Sequence, residues 1–309
     1  MTTLLYSHPT CVEHDGGASH PERPDRLRAV MAALSDNSFQ GLDRREAPQA
    51  RVSDLERVHA PFHVEQIFSN IPESGHFRID ADTAMSPHSG EAALRAAGAV
   101  IAAVDAVLGG EADNAFCAIR PPGHHAEPNR AMGFCLFNNV AIGAVHAQDT
   151  ADVQRVAVVD FDVHHGNGTQ AAFYDKEDLF YASSHQSPCY PGTGLQSETG
   201  NYDNIVNAEL PPGTGSEVFR AAYSDRILPA LRAWKPDFLL ISAGFDAHVR
   251  DPLAQLNLDE DDFAWVTHEL LSVANDCCGG RVVSVLEGGY DLDALAASAA
   301  VHVTELMAN

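Results

Sequence analysis

The run Val156-Ala157-Val158-Val159, followed at once by Asp160-Phe161-Asp162-Val163-His164-His165-Gly166-Asn167-Gly168, decides the fold. Four consecutive apolar residues with two β-branched types read as a strand buried on both faces. Two carboxylates and two imidazoles then follow within six residues. Desolvating such groups unpaired costs several kcal/mol or more, so they must be ion-paired or metal-bound. The segment therefore reads as a buried strand that ends in half of a metal site.

Outward from it, the chain alternates strand-like and helix-like segments. Short apolar runs at 116–119, 156–159, 179–182, 238–242 and 282–286 are strand candidates. Helical periodicity runs over 91–108, 138–148, 217–233, 260–274 and 292–307. Apolar strands alternating with helices predict an α/β fold, a parallel sheet covered on both faces. No repeat, low-complexity tract or hydrophilic linker interrupts the pattern, so residues 1–309 are expected to form a single domain.

Composition narrows the function. The 309 residues carry 19 Lys and Arg against 43 Asp and Glu, a formal charge of −24. Such a balance excludes a basic nucleic-acid-binding surface and is compatible with a cationic substrate. The first residues lack the basic and apolar regions of an export signal, and no run of about 18 apolar residues suggests a membrane span. A cytoplasmic protein is expected. The six cysteines lack C-x-x-C spacing and read as free thiols in a reducing compartment.

In open α/β sheets, ligands bind beyond the carboxyl ends of the strands. Here those ends deliver Arg120-Pro121-Pro122-Gly123-His124-His125, the opening segment, Ser183-Ser184-His185, Ala243-Gly244-Phe245-Asp246-Ala247-His248 and Glu287-Gly288-Gly289-Tyr290. Asp162 and His164 are i, i+2 in a stretch expected to be extended, so their side chains should point the same way. Asp246 can supply a third ligand. Two carboxylates and one imidazole leave an open position for water, as catalytic zinc requires, although Fe(II) and Co(II) accept the same donors. The alternative is a buried Asp162–His164 ion pair without metal.

The doublet His124-His125 needs two partners. Asp160 offers a carboxylate and Asn167 an amide. A carboxylate keeps its histidine charged, whereas an amide leaves the other free to exchange a proton. Such a split suits one electrostatic histidine and one general base and acid. Tyr290, after Gly288-Gly289, can donate to a developing oxyanion.

These motifs together resemble the zinc-dependent histone deacetylase superfamily, which includes acetylpolyamine amidohydrolases. The matching segments are His20-Pro21-Glu22-Arg23-Pro24, Arg120-Pro121-Pro122-Gly123-His124-His125-Ala126, Gly133-Phe134-Cys135-Leu136-Phe137-Asn138-Asn139, Asp160-Phe161-Asp162-Val163-His164-His165-Gly166, Ser242-Ala243-Gly244-Phe245-Asp246 and Glu287-Gly288-Gly289-Tyr290. The resemblance implies the three-layer arginase–deacetylase fold with a central, mostly parallel eight-stranded sheet. It implies zinc on Asp162, His164 and Asp246, His125 as general base and acid, and His124 paired with Asp160. Asn167 would partner His125, and Tyr290 would polarise the amide carbonyl. Gly133, Phe134 and Tyr190 would line an acyl-lysine tunnel, with Asp82 as the acidic rim residue. A structural K⁺ or Na⁺ would sit on backbone oxygens of Asp160, Asp162 and His164, the Ser183 side chain and the Ser184 carbonyl.

Asn167 and Glu287 point to a class II-like bacterial enzyme, while Cys189-Tyr190 departs from the usual aromatic pair. The implied activity is removal of acetyl or acyl groups from lysine ε-amines in proteins or peptides. Acetylpolyamine hydrolysis is the alternative, and an inactive acyl-lysine-binding module the third. Neither nucleic acid nor membrane is an expected partner, and a homo-oligomer remains open.

Overall fold

The computed structural model describes residues 2–150 and 152–308. Ten strands occur among them: β1 (Thr3–Ser7), β2 (Asp43–Glu46), β3 (Phe77–Arg78), β4 (Ala84–Met85), β5 (Asn114–Cys117), β6 (Val156–Asp160), β7 (Leu179–Gln186), β8 (Ile205–Leu210), β9 (Phe238–Ala243) and β10 (Val282–Leu286). Eight form one sheet in the order β2-β1-β5-β10-β9-β6-β7-β8, with every pairing parallel. The strands β3 and β4 form a small antiparallel ribbon. The expected mostly parallel sheet is thus wholly parallel.

The inner strands β5, β6, β9 and β10 are buried along their length, as continuous apolar runs require. One helical layer is Ser89–Leu108 against Asn139–Ala147; the other combines Glu260–Cys278, Leu292–Ala308 and Pro24–Ala33. Among the described residues, no helix is long and apolar enough to cross a membrane.

Three strands of the main sheet escaped the sequence pattern, as did the β3–β4 ribbon. Strand β2 reads Asp43-Arg44-Arg45-Glu46, with no apolar residue, because it is an edge strand and a charged edge blunts further pairing. Strand β8 lies at the other edge and is only partly covered. Strand β1 is short and buried, inside an N-terminal segment whose length alone does not distinguish strand from loop. Strand β7 also runs past the expected 179–182. Ser183, Ser184 and His185 are within it, held by pairing to β8 rather than following it in a loop.

The helix expected over 217–233 is interrupted. It comprises Ser216–Ala222, a π-helical turn Tyr223–Ile227, and Leu228–Trp234. Pro229 has no N–H to donate to the carbonyl of Asp225, and the ladder widens where that bond is missing. By contrast, Glu260–Cys278 starts on a capping box, Asp259 with Asp262, and ends on Gly279 at φ 63°.

The topology positions the site. Strands β5, β10, β9 and β6 are consecutive in the sheet but distant in sequence. Parallel pairing aligns their carboxyl ends, so the loops from Arg120, Glu287, Gly244 and Phe161 open onto one edge.

Candidate active site

Strand β6 ends at Asp160, and the segment beyond is a bend rather than an extended strand. The expected i, i+2 alternation is therefore not what aligns Asp162 with His164. Two side-chain turns do so: Asp160 Oδ1 accepts from Asp162 N at 3.1 Å, and Asp162 Oδ1 accepts from His164 N at 2.9 Å. Aspartate favours this local bond, which turns the chain and leaves both side chains on the same side.

Asp162, His164 and Asp246 converge, each with one ligand-type atom within 4.8 Å of the others. His164 Nδ1 lies 3.2 Å from Asp162 Oδ1 and 3.1 Å from Asp246 Oδ2. Backbone donors hold the carboxylates: Gly288 N donates to Asp162 Oδ2 at 2.8 Å, and Val163 N to Asp246 Oδ1 at 2.8 Å. A Cβ at Gly288 would lie 2.2 Å from Asp246 Oδ2, so only glycine lets β10 approach this closely. Both carboxylates are fully buried. Burial, then the charge on Asp162, pushes the Asp246 carboxyl up. Three buried carboxylates, Asp160, Asp162 and Asp246, have only two imidazoles, His124 and His164, against them, so the donor set fits a divalent cation.

The histidine doublet lies beside this group, its rings 4.0 Å apart. His124 Nδ1 is 3.0 Å from Asp160 Oδ2, and His124 Nε2 is 3.8 Å from Asp162 Oδ2. Burial opposes its charge, but Asp162 and Asp160 outweigh burial and raise its pKa to about 10. His125 Nδ1 is 2.8 Å from Asn167 Oδ1. Burial, then the charge of His124, holds His125 well below the usual histidine range. The doublet thus contains one cation and one neutral base.

Gly133, Phe134, Tyr190, Asp82 and Leu253 line a cavity of about 200 Å³ that ends at His125, His164 and Tyr290. Gly133 and Phe134 are both left-handed, at φ 56° and 69°. A Cβ at Gly133 would lie 2.5 Å from the His125 ring. Phe134 N donates to Thr83 Oγ1 at 3.1 Å, and Thr83 Oγ1 donates to Asp82 Oδ1 at 2.8 Å, tying the wall to the rim. His165 is outside the group, hydrogen-bonded to Thr193 and Gln170. Asp160 and Ser183 are direct partners across β6 and β7. Ser183 Oγ lies 2.9 Å from His185 Nδ1, and Ser184 Oγ 3.1 Å from Tyr223 Oη.

Sequence reasoning missed the supporting roles of several residues: those of Tyr181, Asp251 and Arg26 altogether, and that of Glu287 as an anchor, although its motif stands among the matching segments. Tyr181, in apolar β7, donates to Asp160 Oδ2 at 3.0 Å and accepts from Gly166 N at 3.0 Å. A single polar-tipped aromatic in a buried strand was its only signal. Asp251 accepts from Tyr290 N at 2.7 Å and Leu253 N at 3.0 Å, so it fixes two cavity walls. Glu287 Oε2 accepts from Gly123 N at 2.7 Å and His124 N at 3.2 Å, anchoring the doublet's loop. The Arg26 guanidinium lies 4.8 Å from the Tyr290 ring centroid, a cation–π contact.

Comparison with known proteins agrees with this geometry. Residues 20–306 match the family model for the histone deacetylase domain. The histone deacetylase-like amidohydrolase of Pseudomonas aeruginosa is 40% identical over 285 residues, covering 90% of this chain and 74% of that protein. The chloroplastic histone deacetylase 14 of Arabidopsis thaliana is 39% identical over 317 residues, 96% of this chain and 75% of that one. The crystal structure of the HDA15 HD domain matches with a TM-score of 0.92 at 36% identity, covering 99% of this chain and 88% of that chain, so the fold is the arginase–deacetylase fold. The sequence match along the chain and the shared sheet lead to one conclusion: this chain belongs to the histone deacetylase family and is a hydrolytic deacetylase.

Proposed function

We propose that residues 1–309 act as one catalytic unit, a zinc-dependent amidohydrolase that removes acetyl and longer acyl groups from lysine ε-amines in proteins or peptides. The observation that carries this reading is the cavity of about 200 Å³ with Phe134, Tyr190 and Leu253 as apolar walls and His125, His164 and Tyr290 at its end. A narrow apolar passage suits the four-carbon lysine stem, and the polar end suits its amide.

The family is zinc-dependent, and Asp162, His164 and Asp246 are the residues that would hold the ion. Bound there, zinc would supply Lewis acidity and lower the pKa of the attacking water. His125, neutral and poised over the cavity, takes the proton from that water as the new C–O bond forms at the acyl carbon. Tyr290 donates its hydroxyl proton in a hydrogen bond to the developing oxyanion. His124 stays cationic and contributes electrostatically, with Asp160 and Tyr181 holding its orientation. His125 then returns the proton to the leaving amine, the C–N bond breaks, and the carboxylate product and free amine depart. Asp82 would accept hydrogen bonds from the substrate backbone at the rim. A structural K⁺ or Na⁺ is assigned to the turn after β6, on oxygens of Asp160, Asp162, His164, Ser183 and Ser184.

The test is a rate comparison on acetyl-lysine peptides, longer acyl-lysine peptides and acetylpolyamines, with metal content measured alongside. Peptide substrates are expected to have the highest kcat/KM. Preference for acetylpolyamines would move the reading to a small-amide hydrolase, and tight binding of acyl-lysine peptides without turnover would move it to a binding module.

A further inference from the structure

As a general base, His125 must carry its proton on the ring nitrogen that faces away from the cavity. An asparagine amide can present either oxygen or nitrogen, so Asn167 alone does not decide which nitrogen that is. The decision comes from one residue further out. Asn167 Nδ2 donates to Glu127 Oε1 at 2.8 Å. The other carboxylate oxygen, Glu127 Oε2, is 3.1 Å from Arg130 Nη2. A carboxylate held by a guanidinium only accepts hydrogen bonds, so it selects the NH₂ side of Asn167. Asn167 Oδ1 must then face His125 Nδ1, and Nδ1 must be the donor. The Nε2 lone pair is left free to accept a proton.

Glu127 is itself held firmly. Its N–H donates to Arg130 O at 2.9 Å, and its carbonyl lies 3.0 Å from His59 Nδ1. His59 Nε2 accepts from Asn138 N at 2.8 Å, so its Nδ1 is the nitrogen that donates to Glu127 O. The next residue's carbonyl, Pro128 O, accepts from Ala60 N at 2.7 Å.

We propose that Glu127 is a positioning residue that fixes the amide orientation of Asn167 and, through it, the Nδ1–H tautomer of His125. The proposal rests on the reading of His125 as the general base, but its main readout does not depend on activity. In Glu127→Gln the side chain offers either a donor or an acceptor to Asn167. Both orientations of the amide become available, and the Nε2–H form, useless as a base, gains population. We expect kcat to fall about tenfold with KM unchanged, the lower end of what loss of an outer hydrogen-bond partner costs.

Asn167→Asp alone places a carboxylate against Glu127 and is expected to fall further. Combining the two changes restores the pattern: the introduced glutamine amide donates, the introduced aspartate carboxylate accepts, and His125 Nδ1 again donates. The double variant is therefore expected to turn over faster than either single variant. Arg130→Ala keeps the Glu127–Asn167 bond and is expected to retain most of the wild-type rate.

The decisive measurement is the ¹⁵N shift pattern of His125 in the full-length chain at neutral pH. Protonated Nδ1 is expected in the native chain and the double variant, and a tautomer mixture in Glu127→Gln. A native His125 protonated on Nε2 overturns the proposal. So does a double variant no faster than Glu127→Gln, or an Arg130→Ala loss equal to that of Glu127→Gln, which would mark the ion pair as merely structural. The nitrogen shifts decide the relay even if none of the tested amides is hydrolysed.

Discussion

Two buried acid–base clusters lie side by side beneath the cavity, and they differ in charge. In the first, Glu22 meets two guanidiniums: Oε1 accepts from Arg26 Nη1 at 2.9 Å and from Arg120 Nε, and Oε2 accepts from Arg120 Nη2 at 2.6 Å. Arg26 also donates to the carbonyls of Gly289 and Glu287, and Arg120 to those of Cys11 and His14. Burial alone would raise the Glu22 carboxyl, but Arg120 and Arg26 outweigh it and hold it well below the carboxylate range. This cluster is complete. In the second, Asp160, Asp162 and Asp246 share two histidines, His124 and His164: their charge outweighs burial and holds Asp162 down, while Asp246 is pushed up. Each side chain is hydrogen-bonded, yet three carboxylates face only two cations. Hydrogen-bond satisfaction and charge compensation are separate requirements, and failure of the second marks the cluster that is built to receive a cation.

The comparison can be broken in order of effect. Asp162→Ala is expected to abolish both metal retention and hydrolysis. A purified variant with full metal content and full turnover would end the metal assignment. A subtler form uses sign: Asp246→Asn should raise the melting temperature of chelator-stripped protein and lower that of zinc-loaded protein, because it relieves repulsion in one and removes a ligand in the other. Equal shifts in both states would equate the two clusters.

Glu22→Gln attacks the complete cluster. It leaves two buried guanidiniums undercompensated and should cost about 3–5 kcal/mol in denaturant unfolding, with zinc content unchanged in the folded fraction. A cost under about 1 kcal/mol would mean that the arginines find other partners. Tyr290→Phe tests the junction between the clusters, since the ring over Arg26 remains while the hydroxyl is lost. Stability should hold, and kcat should fall by about 10²–10³, the loss seen for one oxyanion donor. Unchanged kcat would remove Tyr290 from the chemistry.

The smallest effect belongs to a third buried base. His302 is fully buried, accepting or donating to Thr267 Oγ1 and Ser284 Oγ at 2.7 Å each, with no charged partner among the described residues. Burial lowers its pKa to about 3. A depressed folded pKa means the unfolded chain binds the proton more tightly, so this contribution is present above about pH 6.5 and declines as pH falls toward 3. The decline should reach about 1 kcal/mol by about pH 5.5, and it should be absent from the pH–stability slope of His302→Gln. An identical slope in the variant would show that other groups carry it.

The residues that sequence patterns gathered do lie together. Asp162, His164, Asp246, His124, His125, Asn167 and Tyr290 occupy one edge of the sheet. They were legible because each follows an apolar run, and a parallel sheet sends all such ends the same way. Less legible was whatever depends on spacing across the fold. Tyr181 reaches His124 through Asp160, and Glu127 reaches His125 through Asn167, by intermediates that no local pattern reveals. The charged edge strand β2 has no apolar signature because none of its four residues is buried. The helix break at Tyr223–Ile227 follows from Pro229, a local cause that an apolar periodicity masks.

The sequence by itself determined the strand–helix alternation, the direction in which the strands point, and the inventory of ligand-type side chains at their ends. Those are consequences of burial and chain direction, and both are written in residue order. Only the tertiary structure decided that β5, β10, β9 and β6 are neighbours, that Glu22 receives two arginines while Asp162 and Asp246 receive none, and that Glu127 reaches Asn167. Those contacts are set by sheet order and by distances of a few ångströms across the fold, and electrostatic balance in a buried site depends on them.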